Sequence, residues 1–268
     1  MRRVMLWMTT VFALGMSVVP VVAQTLNPVF LEDMTWVEVR DAVVAGTRTV
    51  IIPTGGTEQN GPHMVLGKHN YLVRYKAGEI AKQLGGTLVA PVMAYVPEGS
   101  IDPPSGHMRF AGTITLPQDV FEQVLEYAAR SLVQHGFTDV VLIGDSGGNQ
   151  SGQQAVADLL NAEWRGSMRR VHHVTAYYPG PGDDWLLTQG ETLEDVGSHA
   201  SIHDTASLLY LNPSMLRLDS LGQGIAGDGT GLIGNAARST REYGGQILSL
   251  QIAAAVEQIQ ELKQTGRQ

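Results

Sequence analysis

Asp139-Val140-Val141-Leu142-Ile143-Gly144-Asp145-Ser146-Gly147-Gly148-Asn149 is the stretch from which the fold is read. Four consecutive apolar residues closed by glycine predict a strand buried on both faces, as in a parallel sheet. The glycines that follow predict a tight strand-to-helix turn. Upstream, residues 117–135 carry Val120, Phe121, Val124, Leu125, Ala128 and Leu132 on one helical face, with Pro117 at the start and Gly136 as the stop. Downstream, a helix is predicted over 153–165 and a strand over 171–177. Further out, residues 49–53 and 87–92 are strand candidates. Residues 71–84 space Ala77, Ile80, Ala81 and Leu84 as a helix ended by Gly85-Gly86, and a long terminal helix is predicted over 242–263. This alternation predicts an α/β fold, a three-layer α/β/α sandwich with a mostly parallel central sheet. Residues 24–268 show no repeat, low-complexity tract or linker-like break and are expected to form one domain. Residues 179–194, with Gly180, Pro181, Gly182, Asp183 and Asp184, read as an irregular surface loop and a candidate lid.

The chain has 268 residues, 43% hydrophobic and 16% charged, with a formal net charge of −8. Its mean hydropathy is −0.02. Such a composition is globular and excludes wholesale disorder. Two of the basic residues, Arg2 and Arg3, sit in the predicted leader, so the remainder is more acidic still, which argues against nucleic acid and anionic membrane surfaces as partners. The absence of cysteine excludes disulfides, thiolate metal sites and cysteine nucleophiles. Residues 1–23 read as a secretory signal peptide: a basic Met1-Arg2-Arg3, an apolar run from Val4 to Val22, and Val21-Val22-Ala23 before Gln24 as the small-residue cleavage site. The expectation is an exported protein, periplasmic or secreted, without a membrane partner once the leader is removed.

In open α/β sheets chemistry collects beyond the carboxyl ends of strands, and three glycine-rich polar segments follow predicted strands here. The first, Thr54 to Asn70, holds Glu58, His63 and His69. A carboxylate and neutral imidazoles suit a zinc, manganese or iron ion, although they equally suit hydrogen bonds to the loop's own backbone. The second contains His107, a pocket candidate, and Arg109, whose guanidinium suits a substrate carboxylate. In the third, Asp145-Ser146-Gly147-Gly148, Asp145 is a candidate metal ligand, and the Gly147 and Gly148 amides at a helix start suit an oxyanion. Gly-Asp-Ser-Gly-Gly also occurs in trypsin-like serine proteases, but those are disulfide-bridged β-barrels, and a nucleophilic Ser146 needs a histidine base that only the fold supplies. A fourth segment places His199, His203 and Asp204 together. On a helix His199 and His203 share a face, which suits either a two-histidine metal face or a general acid–base His199 oriented by Asp204. Alternatively, Asp204 caps the helix that follows.

Taken jointly, these segments resemble the creatininase family of metal-dependent amide hydrolases. Gly56-Thr57-Glu58-Gln59-Asn60-Gly61-Pro62-His63 through Leu66-Gly67-Lys68-His69 matches the family's Gly-Ser-x-Glu-Gln-His-Gly-Pro-His-Leu-Pro-Leu-Gly-x-Asp. His107 to Leu116 matches His-x-x-Phe-Pro-Gly-Thr-Ile-Ser-Leu, Gly144 to Asn149 matches Asn-Gly-His-Gly-Gly-Asn, and His199 to Ala206 matches His-Ala-Gly-x-x-Glu-Thr-Ser. The resemblance implies an α/β/α sandwich, a metal site at the strand ends, hydrolysis of small amides, and a homo-oligomer, often a hexamer. It also exposes departures. The bridging Asp of the dinuclear members is His69 here, a metal-binding His is Ser146, another is Asn60, and a further acidic ligand falls at Gly148. The second metal site is therefore expected to be lost. One divalent ion, zinc first and manganese or iron as alternatives, is expected on Glu58 and His69, with Asp145 or a residue of the His199 segment completing the set. The resemblance makes His199 the proton shuttle with Asp204 orienting it, and leaves Ser146, Gly147, Gly148, His107 and Arg109 for the substrate and its oxyanion. Two other functions compete: a non-catalytic small-molecule-binding protein that has lost its metal, and a metal-independent serine hydrolase using Ser146.

Overall fold

The computed structural model describes residues 29–265, so the predicted signal peptide over 1–23 lies outside the described residues. Strands β1 (Thr49–Thr54), β2 (Thr87–Val89), β3 (Asp139–Gly144) and β4 (Arg170–His173) form a parallel sheet in the order β2-β1-β3-β4. The ladder aligns Thr49 with both Thr87 and Asp139, and Asp139 in turn with Arg170.

Alternation along the strands builds the layers. Val50, Ile52, Leu88, Val140, Leu142 and Val171 face α3 (Gln118–Gln134) and α4 (Gly147–Glu163), against Phe121, Leu125, Val156 and Leu160. Ile51, Val89, Val141 and Ile143 face α2 (Lys68–Leu84) and α8 (Arg241–Thr265), against Val73, Ala77, Ile80, Ile252 and Ile259. A one-residue slip would exchange these faces, so two buried sides fix the register. The result is the three-layer α/β/α sandwich that the sequence predicts, with α1 (Trp36–Val44) at the rim of the α3 side.

Several boundaries differ from the sequence reading, each for a local reason. Helix α2 begins at Lys68 rather than 71, because its first residues are polar but buried and so escape an apolar periodicity. Helix α4 begins at Gly147, inside the glycine turn, with Ser146 as its N-cap. The strand predicted over 87–92 ends at Val89, and that predicted over 171–177 ends at His173 and turns through a 3-10 helix at Thr175–Tyr177. The stretch 179–194 is not irregular: it holds α5 (Gly182–Thr188) and the start of α6 (Leu193–Val196).

Helix α7 (Ile202–Leu211) packs along α8 and carries the His199 segment to the strand ends. The two helices meet at Gly244, where an added Cβ would lie 1.9 Å from the Ala206 carbonyl oxygen. His199 itself precedes α7 and pairs with Ile233 in an isolated bridge beside the hairpin of β5 (Gln223–Gly224) and β6 (Gly234–Asn235). Gly244→Ala is therefore expected to force α7 and α8 apart and to cost roughly 1–3 kcal/mol, the usual penalty of overpacking. A urea unfolding midpoint equal to wild type would contradict that close approach.

Candidate active site

The loop after β1 is held by atoms rather than by regular structure. Gly55 lies so close to Asn70 that a Cβ would sit 2.1 Å from its Oδ1, and Asn70 Oδ1 accepts from the Gly56 amide at 3.1 Å. Asn149 on α4 donates to the carbonyls of Thr54 and Gly55 at 3.2 and 2.9 Å. These contacts fix Glu58 beyond the end of β1. The segment after β2 returns to it through Ile114 N to Thr57 O, at 2.9 Å, and through Gln59 N to Thr113 Oγ1, at 3.2 Å. A cavity of about 960 Å³ opens here, with Glu58, His107, Ser146 and His199 in its wall and Arg109 also contributing to its lining.

Behind the cavity six ionisable side chains alternate in sign. Lys76 and Tyr177 both donate to Asp145, Tyr177 at 2.7 Å. His69 reaches Asp145 with Nδ1 at 3.0 Å and Glu58 with Nε2 at 2.8 Å. Lys68 lies 4.0 Å from Glu58 and donates to Asp204 at 2.7 Å. Burial opposes charge on every carboxylate, yet the neighbours win. The Lys76 ammonium and the His69 imidazolium hold Asp145 down to about 2, and Lys68 with His69 holds Asp204 below the usual range. His69 is pushed up, because Glu58 and Asp145 outweigh burial and the nearby Lys68, and Glu58 is held well below its ordinary value by His69 and Lys68. Glu98, also buried, goes the other way: burial and the adjacent Glu58 charge push it up to about 10, so it is protonated at neutral pH.

The structure thus brings Glu58, His69 and Asp145 together as a hydrogen-bonded chain. His69 stands between the two carboxylates with both ring nitrogens engaged, so it has no lone pair to give. The ligand atoms that do converge belong to Glu58, His107 and His199, all within 4.8 Å of one another. The two rings lie 4.5 Å apart, and burial lowers the pKa of both, His199 to about 4, so both are neutral imidazoles at pH 7. Glu58 Oε2 is buried 3.2 Å from His107 Nε2, and the protonated Glu98 carboxyl is hydrogen-bonded to Glu58. One carboxylate oxygen and two neutral imidazoles are a donor set that fits a divalent transition ion with a position left open.

The remaining predicted residues fall as follows. His199 and His203 share no helical face, since His199 lies outside α7, and His203 Nδ1 pairs with Asp183 at 2.6 Å. Asp204 does not orient the His199 ring: it accepts from Lys68 and from the Ala200 amide, at 2.9 Å. The ring is oriented by Gln59, whose carbonyl oxygen lies 2.9 Å from His199 Nε2. His63 bonds Thr205 at 2.9 Å and is structural. Ser146, Gly147 and Gly148 line the cavity at the start of α4, and no described histidine hydrogen-bonds Ser146. Arg109 is exposed, with Nε donating to the Pro104 carbonyl at 3.4 Å. Sequence reading missed Gln59, Lys68, Lys76 and Glu98. For Lys76 a signal existed: it interrupts the apolar stripe of Leu72, Val73 and Ile80, and a lysine in such a stripe calls for a buried acid.

Breaking the charge chain is expected to be costly. Lys76→Met leaves Asp145 short of one cation and should lose roughly 3–5 kcal/mol of stability, read by chemical denaturation. The pH dependence has a definite sign. A carboxylate held at about 2 instead of 3.8 contributes stability that is present above its ordinary value and lost as pH falls through the lower one. The denaturation midpoint should therefore drop between about pH 4 and pH 2; a flat profile there would refute the pairing.

Comparison with known proteins identifies the family and agrees with the fold. The family model described as creatinine amidohydrolase (Creatininase) matches residues 32–259. A mycofactocin precursor peptide peptidase from Mycolicibacterium smegmatis is 27% identical over 177 residues, 64% of this chain and 61% of that protein. The creatinine amidohydrolase of Pseudomonas putida is 26% identical over 196 residues, 71% of this chain and 75% of that protein. Among solved structures, a creatinine amidohydrolase (creatininase) superposes with a TM-score of 0.74 at 22% identity, covering 87% of this chain and 97% of its own. A creatininase described with Mn gives 0.74 at 23% identity, covering 87% and 98%. At these identities the superpositions speak for the fold alone. The family match spans most of the chain, from before β1 to near the end of α8, and the chain belongs to the creatininase family.

Proposed function

We propose that this chain is a metal-dependent hydrolase of a C–N amide bond, linear or cyclic, in a small molecule, using one divalent ion held by Glu58, His107 and His199. The convergence of those three ligand atoms on the wall of a large cavity carries the reading. Zinc is the first choice for this donor set, with manganese or iron as alternatives. A divalent ion there supplies Lewis acidity toward the amide carbonyl and makes bound water a nucleophile near neutral pH. The chain's own groups do the rest. The Gly147 and Gly148 amides and the Ser146 hydroxyl, at the positive end of α4, receive the developing oxyanion. Arg109 offers a guanidinium to a substrate carboxylate. His199 holds the ion in place of the proton-shuttling role that the resemblance implies, and Asp204 acts by anchoring Lys68 and the Ala200 amide beside it. The cavity volume, about 960 Å³, lies at the upper end for small-molecule sites and admits amides well beyond one small ring. We further propose export on the strength of residues 1–23. Among the described residues no helix is long and apolar enough to cross a membrane.

One observation favours a second reading, a binding protein that works without metal: Glu58 already has His69 and Lys68 as counter-charges. Elemental analysis separates the two. The hydrolase reading expects about one zinc per chain after purification without chelator or after reconstitution, together with turnover on a panel of lactams and linear amides. Glu58→Gln should weaken zinc binding at least about tenfold and lower turnover with it. Full activity with stoichiometric metal in that variant, or wild type that takes up no metal, would remove the reading.

A further inference from the structure

Gln59 is clamped in a position where no orientation of its side-chain amide satisfies all its neighbours. Its Oε1 accepts from the Gly61 amide at 3.0 Å, and its Nε2 lies 2.9 Å from His107 Nδ1 and 3.0 Å from His199 Nε2. Gly231 closes the other side, where a Cβ would come within 2.1 Å of Oε1. His199 Nε2 also faces the Gln59 backbone carbonyl at 2.9 Å, so it carries a proton and donates there. The neutral ring therefore keeps its lone pair on Nδ1, the nitrogen 3.7 Å from Glu58. This is the tautomer an ion needs.

His107 is in the opposite state. With Oε1 pinned by Gly61, the Gln59 amide nitrogen donates to His107 Nδ1. A neutral imidazole that accepts on Nδ1 has its proton on Nε2, the nitrogen aimed at Glu58. That nitrogen is then a donor to the carboxylate and cannot bind a cation. The same orientation also sets an N–H of Gln59 against the N–H of His199. Turning the amide over reverses both effects: Oε1 then accepts from His107 Nδ1–H and from His199 Nε2–H, and both nitrogens facing Glu58 carry lone pairs. The cost moves to Gly61, whose amide loses its acceptor. Each orientation contains one donor facing a donor, and the flipped one also sets the His107 Nε2 lone pair against the Glu58 carboxylate, a repulsion that a cation between them removes, so the first orientation is favoured without an ion and the second with one.

We propose that Gln59 is a two-position latch: its amide turns over when a divalent cation binds at Glu58, His107 and His199, and the proton of His107 moves from Nε2 to Nδ1 with no change in its number. The inference rests on the metal reading of that site. It makes Gln59 a positioning residue, acting on the ion through the two rings it touches.

The test is imidazole 15N NMR on full chain labelled at histidine, stripped with chelator and then titrated with Zn2+ alone, with His107 assigned by its loss in His107→Gln. Without zinc, His107 should be the Nε2–H tautomer. With zinc it should be Nδ1–H, while His199 stays Nε2–H throughout. In Gln59→Glu, whose carboxylate only accepts, His107 should be Nδ1–H before zinc is added, and a competing chelator should report zinc bound at least about tenfold more tightly. Gln59→Met, which offers no amide, should keep the fold by circular dichroism and bind zinc about tenfold or more weakly. Zinc uptake with an unchanged His107 tautomer, or a stripped wild type already in the Nδ1–H form, overturns the latch and leaves the metal reading standing. No zinc uptake at all by wild type removes the metal reading, and the latch with it.

Discussion

The alternating charges Lys76, Asp145, His69, Glu58, Lys68 and Asp204 are the constraint on which the site depends. Each lies in a place where an isolated charge would be prohibitively costly, and each is tolerable only because a neighbour of opposite sign stands beside it. All three cations come from one helix, α2. The acids come from the loop after β1, the end of β3 and the first turn of α7. The cluster therefore locks three separate segments to one helix face, and it explains why α2 starts with polar residues that are nonetheless buried.

That arrangement also changes what the carboxylates can do. His69 takes the position where the resemblance has a bridging acid, and a protonated imidazole between two carboxylates satisfies them internally. The cavity side of Glu58 then faces two neutral imidazoles, His107 at Oε2 and His199 at Oε1, a donor set that fits a divalent ion. Those rings are neutral for a physical reason: partial burial and the nearby Lys68 disfavour a positive charge on both, with His69 adding to the effect on His107 and His107 to that on His199. The charged back wall and the neutral front wall share one residue, Glu58, and Gln59 immediately after it touches both rings. A short loop between β1 and α2 thus carries the whole contrast.

Much of the layered fold is written locally. The apolar runs at 49–53 and 139–144 are too short and too branched for helices and too apolar for an exposed sheet, so they dictate central parallel strands, and the face of 117–135 dictates a covering helix. The glycine turn at Gly147 and the placement of the site beyond the strand ends follow from the same pattern. The start of α2 was missed because its first residues, Lys68 and His69, are polar yet buried, and periodicity counts only apolar positions; the seven residues of 182–188 bury only Gly182 and Leu186, too few positions to show a helical period.

The residue types available for chemistry were determined by sequence alone: no thiols, one clustered acid in the first loop, and histidines at 69, 107 and 199. Which of them meet was decided by tertiary structure. Glu58 and His69 are neighbours in the chain and became an ion pair, whereas His107 and His199, 92 positions apart, were stacked against Glu58 by the return of two separate segments to the same strand ends. Partner choice among buried polar groups depends on distances between segments remote in sequence and on the local balance of charge. Neither quantity exists until the chain has folded.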